Sequence, residues 1–165
     1  MPPLLVLNAS VTLASVSGTR TLPLTDFIQG SRNIQKNFDE ILTKISIPVA
    51  SCQGVSDFIK LGARKYLVIS IAMVACRVLM EEGVFRSVAI SVGSCSEVAM
   101  RLEDIESALK GQPANVETIT KYVADRINQL VPIDDVRSSA EYRKDAAVTL
   151  IKRSLQRCVE QETVV

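Results

Sequence analysis

Residues 67–93, LVISIAMVACRVLMEEGVFRSVAISVG, decide the fold. Two runs rich in β-branched side chains, residues 67–79 and 85–93, flank the polar tripeptide Glu81-Glu82-Gly83, a pattern typical of a β-hairpin. Along the first run, both sets of alternating side chains are mostly apolar. A strand that is apolar on both faces is usually buried on both, so we expect it to be a central strand of its sheet.

Downstream of this hairpin, apolar residues recur at helical spacing. Residues 102–110 predict a short helix that ends at Gly111, and Asn115 is a natural N-cap for a second helix. This second helix is expected to end at Pro132 and to bury Val116, Ile119, Val123, Ile127 and Leu130. The sequence SSAE at residues 138–141 has the form of a capping box and predicts the start of a last helix. The buried face of the last helix is expected to comprise Ala147, Leu150, Ile151, Leu155 and Cys158.

Upstream of the hairpin, the pattern favours strands. Residues 4–14 (LLVLNASVTLA) predict one strand and residues 20–24 its returning partner. Thr25 is expected to cap a short helical turn. Residues 39–47 (DEILTKISI) predict a third strand, which stops at Pro48.

A polar, irregular stretch at residues 50–54 divides the chain into residues 1–50 and 51–165. In the second part, strands come first and helices follow. Segregated elements of this kind predict an α+β fold, with a small antiparallel sheet covered on one face by helices.

The composition excludes several classes of function. With 19 basic and 18 acidic residues in 165, a net charge of +1 gives no electrostatic basis for binding nucleic acid. The sequence has no histidine, which removes the commonest general base and every Ser–His or Cys–His pair. The seven glycines form neither G-x-G-x-x-G nor G-x-x-x-x-G-K, the motifs that cradle a phosphate. We therefore expect no catalytic residue in this chain.

The cysteines give no sign of a metal site. Cys52, Cys76, Cys95 and Cys158 form no C-x-x-C pair of the kind that zinc or an iron–sulfur cluster needs. Cys76 and Cys95 lie in apolar runs and are expected in the core. No secretory leader is recognised and no apolar run is long enough to span a bilayer, so we expect a cytoplasmic chain without disulfides and without membrane contact.

Two polar clusters leave alternatives open. Arg64-Lys65 would suit an anion, although a solvated strand edge is favoured. The dense run of charges in residues 134–143 (DDVRSSAEYR) would suit a ligand, although capping and ion pairing at the start of the last helix are favoured.

Several segments, taken in order, resemble the rear part of the FAD-binding medium subunit of the molybdenum hydroxylases, the family of xanthine dehydrogenase and carbon monoxide dehydrogenase flavoproteins. The family patterns are L-x-A-x-V, G-x-R, P-L-x-D-F-F, D-E-I-L-x-x-I-x-I-P, F-x-K-x-x-R-R and D-x-R-G-S-A-x-Y-R. The matching segments are residues 5–11 (LVLNASV), 18–20 (GTR), 22–27 (LPLTDF), 39–48 (DEILTKISIP), 58–65 (FIKLGARK) and 134–143 (DDVRSSAEYR).

The resemblance implies two parts and two candidate cofactor contacts. Residues 1–50 are similar to the incomplete tail of the second FAD-binding subdomain, and residues 51–165 to the C-terminal domain, a small antiparallel sheet with about three helices. The leucine of E-I-L, which the family places beside the isoalloxazine, corresponds to Leu42, and the lysine of F-x-K corresponds to Lys60. The first arginine of R-R is Ala63 here, so only Arg64 is retained.

The implied function is electron transfer between iron–sulfur clusters and an external acceptor through FAD. The family's two glycine-rich phosphate loops belong to a half of the subunit that this sequence lacks, so we expect the chain not to hold FAD alone. The implied partners are that N-terminal half, an iron–sulfur subunit and a molybdopterin subunit. The alternatives are a non-catalytic docking module and an inert truncated product. Apolar surface on the predicted strand at residues 4–13 would also favour a homo-oligomer.

Overall fold

The computed structural model describes residues 1–64 and 68–162, so Lys65 and the predicted strand start at Leu67 lie outside the described residues. The helices are α1 (Pro2–Val6), α2 (Leu24–Phe27), α3 (Glu103–Leu109), α4 (Val116–Val123) and α5 (Ala140–Glu162), with a 3-10 turn at Val49–Cys52. The strands are β1 (Ser10–Ser15), β2 (Gly18–Pro23), β3 (Ile28–Gly30), β4 (Asn33–Ile34), β5 (Ile41–Ser46), β6 (Val55–Gly62), β7 (Ser70–Glu81), β8 (Val84–Gly93) and β9 (Met100–Arg101).

The larger sheet is antiparallel and has the order β6-β7-β8-β9. The predicted hairpin is confirmed, because Glu81 pairs with Val84 across a two-residue turn. Both turn residues have positive φ, 51° at Glu82 and 74° at Gly83, as the tight turns of twisted hairpins require. The central position of β7 is also confirmed.

One face of this sheet carries the main core. Alternate β7 residues from Ala72 to Val78 pack against α3, α4 and α5. The predicted buried face of the last helix is confirmed, since all five of its residues are buried in α5. The fold is therefore the expected α+β arrangement of a small antiparallel sheet covered by three helices.

The opposite face of the sheet is covered by α1, which explains why β7 is apolar on both faces. Val6 of α1 packs on Ala75 and Ala89. The prediction of a strand throughout residues 4–14 is thus wrong in its first half, and only β1 is extended. Pro2 and Pro3 occupy the first turn of α1, where a proline lacks no needed N–H, and Leu5 and Val6 are buried.

The smaller sheet has the order β2-β1-β5 and belongs to the first part of the chain. Its three strands were all predicted from the sequence. Its core comprises Leu5, Ala9, Val11, Leu13, Leu22, Leu24 and Phe27. The expectation of exposed apolar surface at residues 4–13 is therefore wrong, because the apolar side chains there are buried or partly buried.

Three helix boundaries differ from expectation. The helix after Asn115 is capped as predicted, with the Asn115 side chain accepting from the Thr118 N–H, but it ends at Val123 rather than near Pro132. The start of α5 is capped one residue later than predicted, because the Ser139 hydroxyl accepts from the Tyr142 N–H. Pro23, rather than Thr25, precedes α2.

Candidate functional site

The smaller sheet ends in an uncovered apolar strand, β5. On the core face, Val11 and Leu13 of β1 are completely buried, whereas their register partners Ile45 and Leu42 on β5 are 48% and 42% exposed. The apolar layer therefore runs to the edge of the sheet and is half open to solvent there. Such a layer can cover a planar apolar ring or a partner chain.

Other exposed apolar side chains lie in or next to β5. Phe38, which precedes β5 by three residues, is fully exposed. Val49, which follows β5 by three residues, is also exposed. The exposed large apolar residues within residues 34–49 are Ile34, Phe38, Ile41, Leu42, Ile45, Ile47 and Val49. We call this set the β5 surface.

Arg20 and Glu40 fix the segment that leads into β5. The Nε of Arg20 donates to Glu40 Oε1 at 2.6 Å, and one terminal nitrogen donates to Oε2 at 2.9 Å. The same terminal nitrogen donates to the Gln35 carbonyl at 3.1 Å. The Asn37 N–H donates to Glu40 Oε2 at 2.7 Å, and Lys36 donates to the Glu40 carbonyl at 2.8 Å. Residues 35–40 are thus closed into a loop around one carboxylate.

These contacts predict a defined pH dependence. Hydrogen bonds from Arg20 and from the Asn37 N–H lower the pKa of Glu40 from 4.5 to about 2. Because the folded pKa is below the ordinary value, the stabilisation is fully present above pH 4.5 and is lost as the pH falls through about 2. We expect the difference in unfolding midpoint between the wild type and Glu40→Gln to be constant from neutral pH down to about 5 and to shrink below it. Urea unfolding across this range measures the difference, and a pH-independent gap would contradict the prediction.

Lys60 lies on the larger sheet, whereas Leu42 lies on the smaller one. The two predicted cofactor contacts are therefore not on neighbouring strands. The Lys60 side chain is exposed on β6, opposite Met73 of β7. The ammonium group donates to the Val68 carbonyl at 2.8 Å. Lys60 therefore already serves as a tether for the chain entering β7, and Arg64 lies just beyond the end of β6.

Two arginines of the larger sheet join it to α1 by donating hydrogen bonds to the last carbonyls of that helix. Arg77 Nε donates to the Val6 carbonyl at 3.0 Å, and Arg101 Nη1 donates to the Leu5 carbonyl at 3.0 Å. The last carbonyls of a helix lack intrahelical partners, so these donors cap it. Burial lowers the pKa of Arg77.

Arg101 is held in turn by Glu106. The two side chains form a bidentate pair with distances of 2.7 and 2.6 Å, and Glu106 Oε1 also accepts from the Ile90 N–H at 2.8 Å. Arg101 also donates to Asn8 Oδ1 at 2.8 Å. One residue thus connects α1, β9 and α3.

A cavity of about 400 Å³ lies beside this junction. Its walls are mostly apolar, with Leu5, Leu24 and Ile28 on one side and Met100 on the other. Glu97 also lines it, and its Oε1 accepts from the Ser31 N–H at 3.1 Å. The cavity therefore lies between α1, α2 and β3 on the chain's N-terminal side and β9 of the larger sheet.

The charged run at residues 134–143 holds the start of α5 against the larger sheet through hydrogen bonds and ion pairs. Arg143 is buried and donates to the carbonyls of Ile71 and Ser94 at 2.5 and 3.0 Å and to Asp135 Oδ1 at 2.7 Å. Asp135 also accepts from the Arg137 N–H at 2.9 Å. These hydrogen bonds, led by that of the Arg137 N–H, hold the pKa of Asp135 well below its usual range. The favoured interpretation, capping and ion pairing at the start of α5, is confirmed.

The cysteines are mostly core residues. Cys76, Cys95 and Cys158 are buried, as expected for all three, and Cys52 is exposed. Burial raises the pKa of Cys95 to about 11 and that of Cys158 to about 12. Within residues 1–64 and 68–162, no group of three or more His, Cys, Asp or Glu side chains could hold a metal ion.

None of the helices in the described part of the chain has both the length and the apolar character that a membrane crossing needs.

Two protein-family models match different stretches of the chain. The CO dehydrogenase flavoprotein C-terminal domain matches residues 57–158, more than half of the sequence. The FAD binding domain in molybdopterin dehydrogenase matches residues 1–50.

The similar proteins are subunits of larger size. The glyceraldehyde dehydrogenase medium chain of Sulfolobus acidocaldarius is 26% identical over 93% of this chain and 54% of its own length. The nicotinate dehydrogenase FAD-subunit of Eubacterium barkeri is 29% identical over 89% of this chain and 51% of its own length. A solved structure, the reconstituted CO dehydrogenase from Oligotropha carboxidovorans, matches with a TM-score of 0.88 at 28% identity, over 97% of this chain and 56% of that one. The chain spans about half the length of the curated relatives it matches.

A four-stranded antiparallel sheet with three helices on one face and α1 on the other is an α+β arrangement, and the C-terminal family model covers most of this sheet and its three helices. The chain belongs to the family of CO dehydrogenase flavoprotein C-terminal domains. The resemblance to the FAD-binding subunits of molybdenum hydroxylases is thereby confirmed.

Sequence reasoning missed the side-chain pairs that form between residues of different motif segments. The arginine of the G-x-R segment and the glutamate of the D-E-I-L segment are the two partners Arg20 and Glu40. A signal existed for Arg77, which interrupts an otherwise apolar strand, because a buried guanidinium needs several acceptors. Arg101 carried no such signal in the sequence.

Proposed function

We propose that this chain is the rear part of the FAD-binding, electron-transferring subunit of a molybdenum-hydroxylase-type oxidoreductase, and that the β5 surface covers the flavin ring. The observation that carries this proposal is the half-exposed apolar layer at Leu42 and Ile45, directly beside the completely buried Val11 and Leu13. The two family matches support it, since the FAD-binding model matches the part of the chain that contains β5.

We also propose a division into residues 1–50, an incomplete FAD-binding subdomain, and residues 51–165, the C-terminal domain. The family matches, which stop at residue 50 and resume at residue 57, support this division. The 3-10 turn at Val49–Cys52 lies at the boundary.

The residues present suit the ring end of FAD better than its diphosphate end. An isoalloxazine ring is planar and largely apolar, and β5 offers Leu42 and Ile45 as a flat apolar contact at the sheet edge. The diphosphate needs clustered backbone N–H groups, and the sequence has no glycine-rich motif to supply them. We therefore propose that a second polypeptide segment contributes the diphosphate site and that the chain alone does not hold FAD.

FAD, when bound, supplies the redox chemistry, and this chain supplies position and shielding. Leu42 and Ile45 would pack on the ring and exclude water from one face. Lys60 is proposed as a second contact, and to reach the flavin its ammonium would have to exchange the Val68 carbonyl for an acceptor on the cofactor. A cation placed there would favour negative charge on the ring.

The proposed partners are an N-terminal FAD-binding half, an iron–sulfur subunit and a molybdopterin subunit, in a cytoplasmic complex. The names of the relatives, a medium chain and a FAD-subunit, support membership of a multi-subunit enzyme.

A docking module without flavin is the second candidate, and one surface favours it. Four exposed apolar side chains lie in or just before the segment that the Asp135–Arg143 ion pair holds in place: Val131, Ile133, Val136 and Tyr142. Rigid, exposed apolar residues are typical of subunit interfaces.

The test is isolation of the tagged chain from its own cells, followed by flavin and iron analysis of the complex. We expect FAD, an iron–sulfur protein and an N-terminal FAD-binding segment to accompany the chain. Partner subunits without flavin would establish the docking module instead. FAD bound tightly and stoichiometrically to the isolated chain would contradict the proposed second diphosphate-binding segment.

Leu42→Asp tests the flavin contact within that complex. A carboxylate in place of an apolar contact must be desolvated against the ring, so we expect FAD retention to fall about tenfold or more. Val116→Asp is the matched control, because this residue of α4 is also exposed and lies outside both proposed contact surfaces. Equal flavin content in the two variants would contradict a role for the β5 surface in covering the ring.

A further inference from the structure

Three side chains form a row across the smaller sheet. Arg20 of β2 pairs in register with Leu13 of β1, and Leu13 pairs with Leu42 of β5. Register partners share a face of the sheet, so the guanidinium of Arg20 lies on the face that carries Leu42. Leu13, in the middle of the row, is completely buried.

The guanidinium reaches past Leu13 to Glu40, two residues before Leu42. Both Glu40 oxygens accept from it, at 2.6 and 2.9 Å, and Gln35 adds a carbonyl acceptor at 3.1 Å. A bidentate arginine–carboxylate pair fixes direction as well as distance. Glu40 lies in a loop, yet only 7% of its side chain is exposed. The carboxylate of the pair is therefore buried at the end of the sheet.

The pair lies directly before β5, an edge strand of the smaller sheet. The strand has β1 as a neighbour on one side, and its register with β1 shifts between Thr12 and Leu13. A register shift loosens the ladder next to Leu42. At this shift the Thr43 hydroxyl donates to the Thr12 carbonyl at 3.2 Å, and the Arg20–Glu40 pair adds a second tie, which joins the residue before β5 to β2.

We propose that Arg20 is a positioning residue for the flavin: acting through Glu40, it sets the height and angle of Leu42 against the ring. This inference rests on the proposed function, because it assumes that Leu42 contacts the flavin. Arg20 itself does not touch the ring in this arrangement. Lysine cannot replace it, since an ammonium group cannot engage both carboxylate oxygens in the planar, forked geometry of a guanidinium.

The first measurement uses the full chain without flavin. Hydrogen exchange of residues 41–46 in Arg20→Gln is expected to be at least tenfold faster than in the wild type, with exchange in β8 unchanged. Arg20→Lys should be intermediate. Arg86→Gln, which breaks the exposed pair of Arg86 with Glu81, is the control and should leave β5 exchange unchanged. Unchanged β5 exchange in Arg20→Gln would overturn the inference.

The second measurement uses the flavin-loaded complex. Arg20→Gln is expected to weaken FAD retention about tenfold and to alter the visible absorption band and reduction potential of the flavin that remains. Glu40→Gln should do the same, and the double variant should be no worse than either single one, because both remove the same pair. Ile151→Val loosens the helical core of the other part and should leave the flavin spectrum unchanged.

Flavin content of the wild-type complex and the flavin spectra of the variants distinguish a failure of the proposed function from a failure of the role of Arg20. A wild-type complex that contains no flavin overturns the proposed function and this inference together. A wild-type complex with flavin, combined with variants of normal spectrum and potential, overturns the inference alone. A spectrum altered equally by Ile151→Val would show that general loosening, not Arg20, is responsible.

Discussion

Replacing Phe85 by alanine is expected to destabilise the chain by about 3–5 kcal/mol, the usual cost of removing a buried aromatic ring. Phe85 is the largest completely buried side chain of the main core. Its backbone also links the hairpin to the end of α3, since its N–H donates to the Gln112 carbonyl and its carbonyl accepts from the Gly111 N–H. The ring therefore fills space where β8 and α3 meet, and a cavity there cannot close easily.

Urea unfolding of Phe85→Ala beside Phe38→Ala makes this measurement. The substitution is the same, but Phe38 is fully exposed, so its loss should change the free energy of unfolding by less than about 0.5 kcal/mol. Similar losses in the two variants would contradict the assigned core. In the assembled complex, a defect specific to Phe38→Ala would place that ring in an interface.

Arg101→Met is expected to cost about 3 kcal/mol, because it leaves Glu106 without its counter-charge in a largely buried site. The Arg101 and Glu106 side chains are 16% and 10% exposed. The substitution also removes the donors to the Leu5 carbonyl and to Asn8, so the contact of α1 with the larger sheet weakens. Thermal or urea unfolding measures the loss.

Arg86→Met is the matched control for this pair. Arg86 and Glu81 are also five residues apart, but they lie 3.6 Å apart with side chains 66% and 64% exposed. Exposed pairs contribute little, so we expect a change below about 0.5 kcal/mol. The double variant Arg101→Met/Glu106→Gln should recover part of the loss, since no unpaired charge is then buried and the glutamine oxygen can still accept from the Ile90 N–H. A double variant worse than Arg101→Met alone would contradict the electrostatic cause.

Much of the larger sheet and its helices could be predicted because local chemistry decided them. Glu82-Gly83 can adopt the positive φ values of a tight hairpin turn, and Asn115 has the side chain that caps a helix. The double apolar character of β7 correctly indicated burial on both faces. It could not indicate that a helix from the first residues of the chain covers the second face, because periodicity does not record which element packs on which.

The first helix and the paired motifs escaped sequence reasoning for related reasons. Leu4 to Val6 are apolar in a row, which suits a buried strand or a buried helix, and the choice is made by Pro2 and Pro3 together with the sheet beneath. Arg20 and Glu40 are 20 residues apart, and Arg143 bonds to the Ile71 carbonyl 72 residues away. Contacts over such separations follow from the tertiary fold and leave no local pattern.

The placement of α1 limits the modularity of this chain. One family match ends at residue 50 and the other begins at residue 57. If the polypeptide were cut between them and α1 were lost, one face of the larger sheet would be exposed to solvent. Arg77 and Arg101 would then lose the α1 carbonyls that accept their hydrogen bonds. A polypeptide severed between residues 50 and 57 would therefore have to keep α1 bound to the larger sheet to protect Ala75 and Ala89 from water.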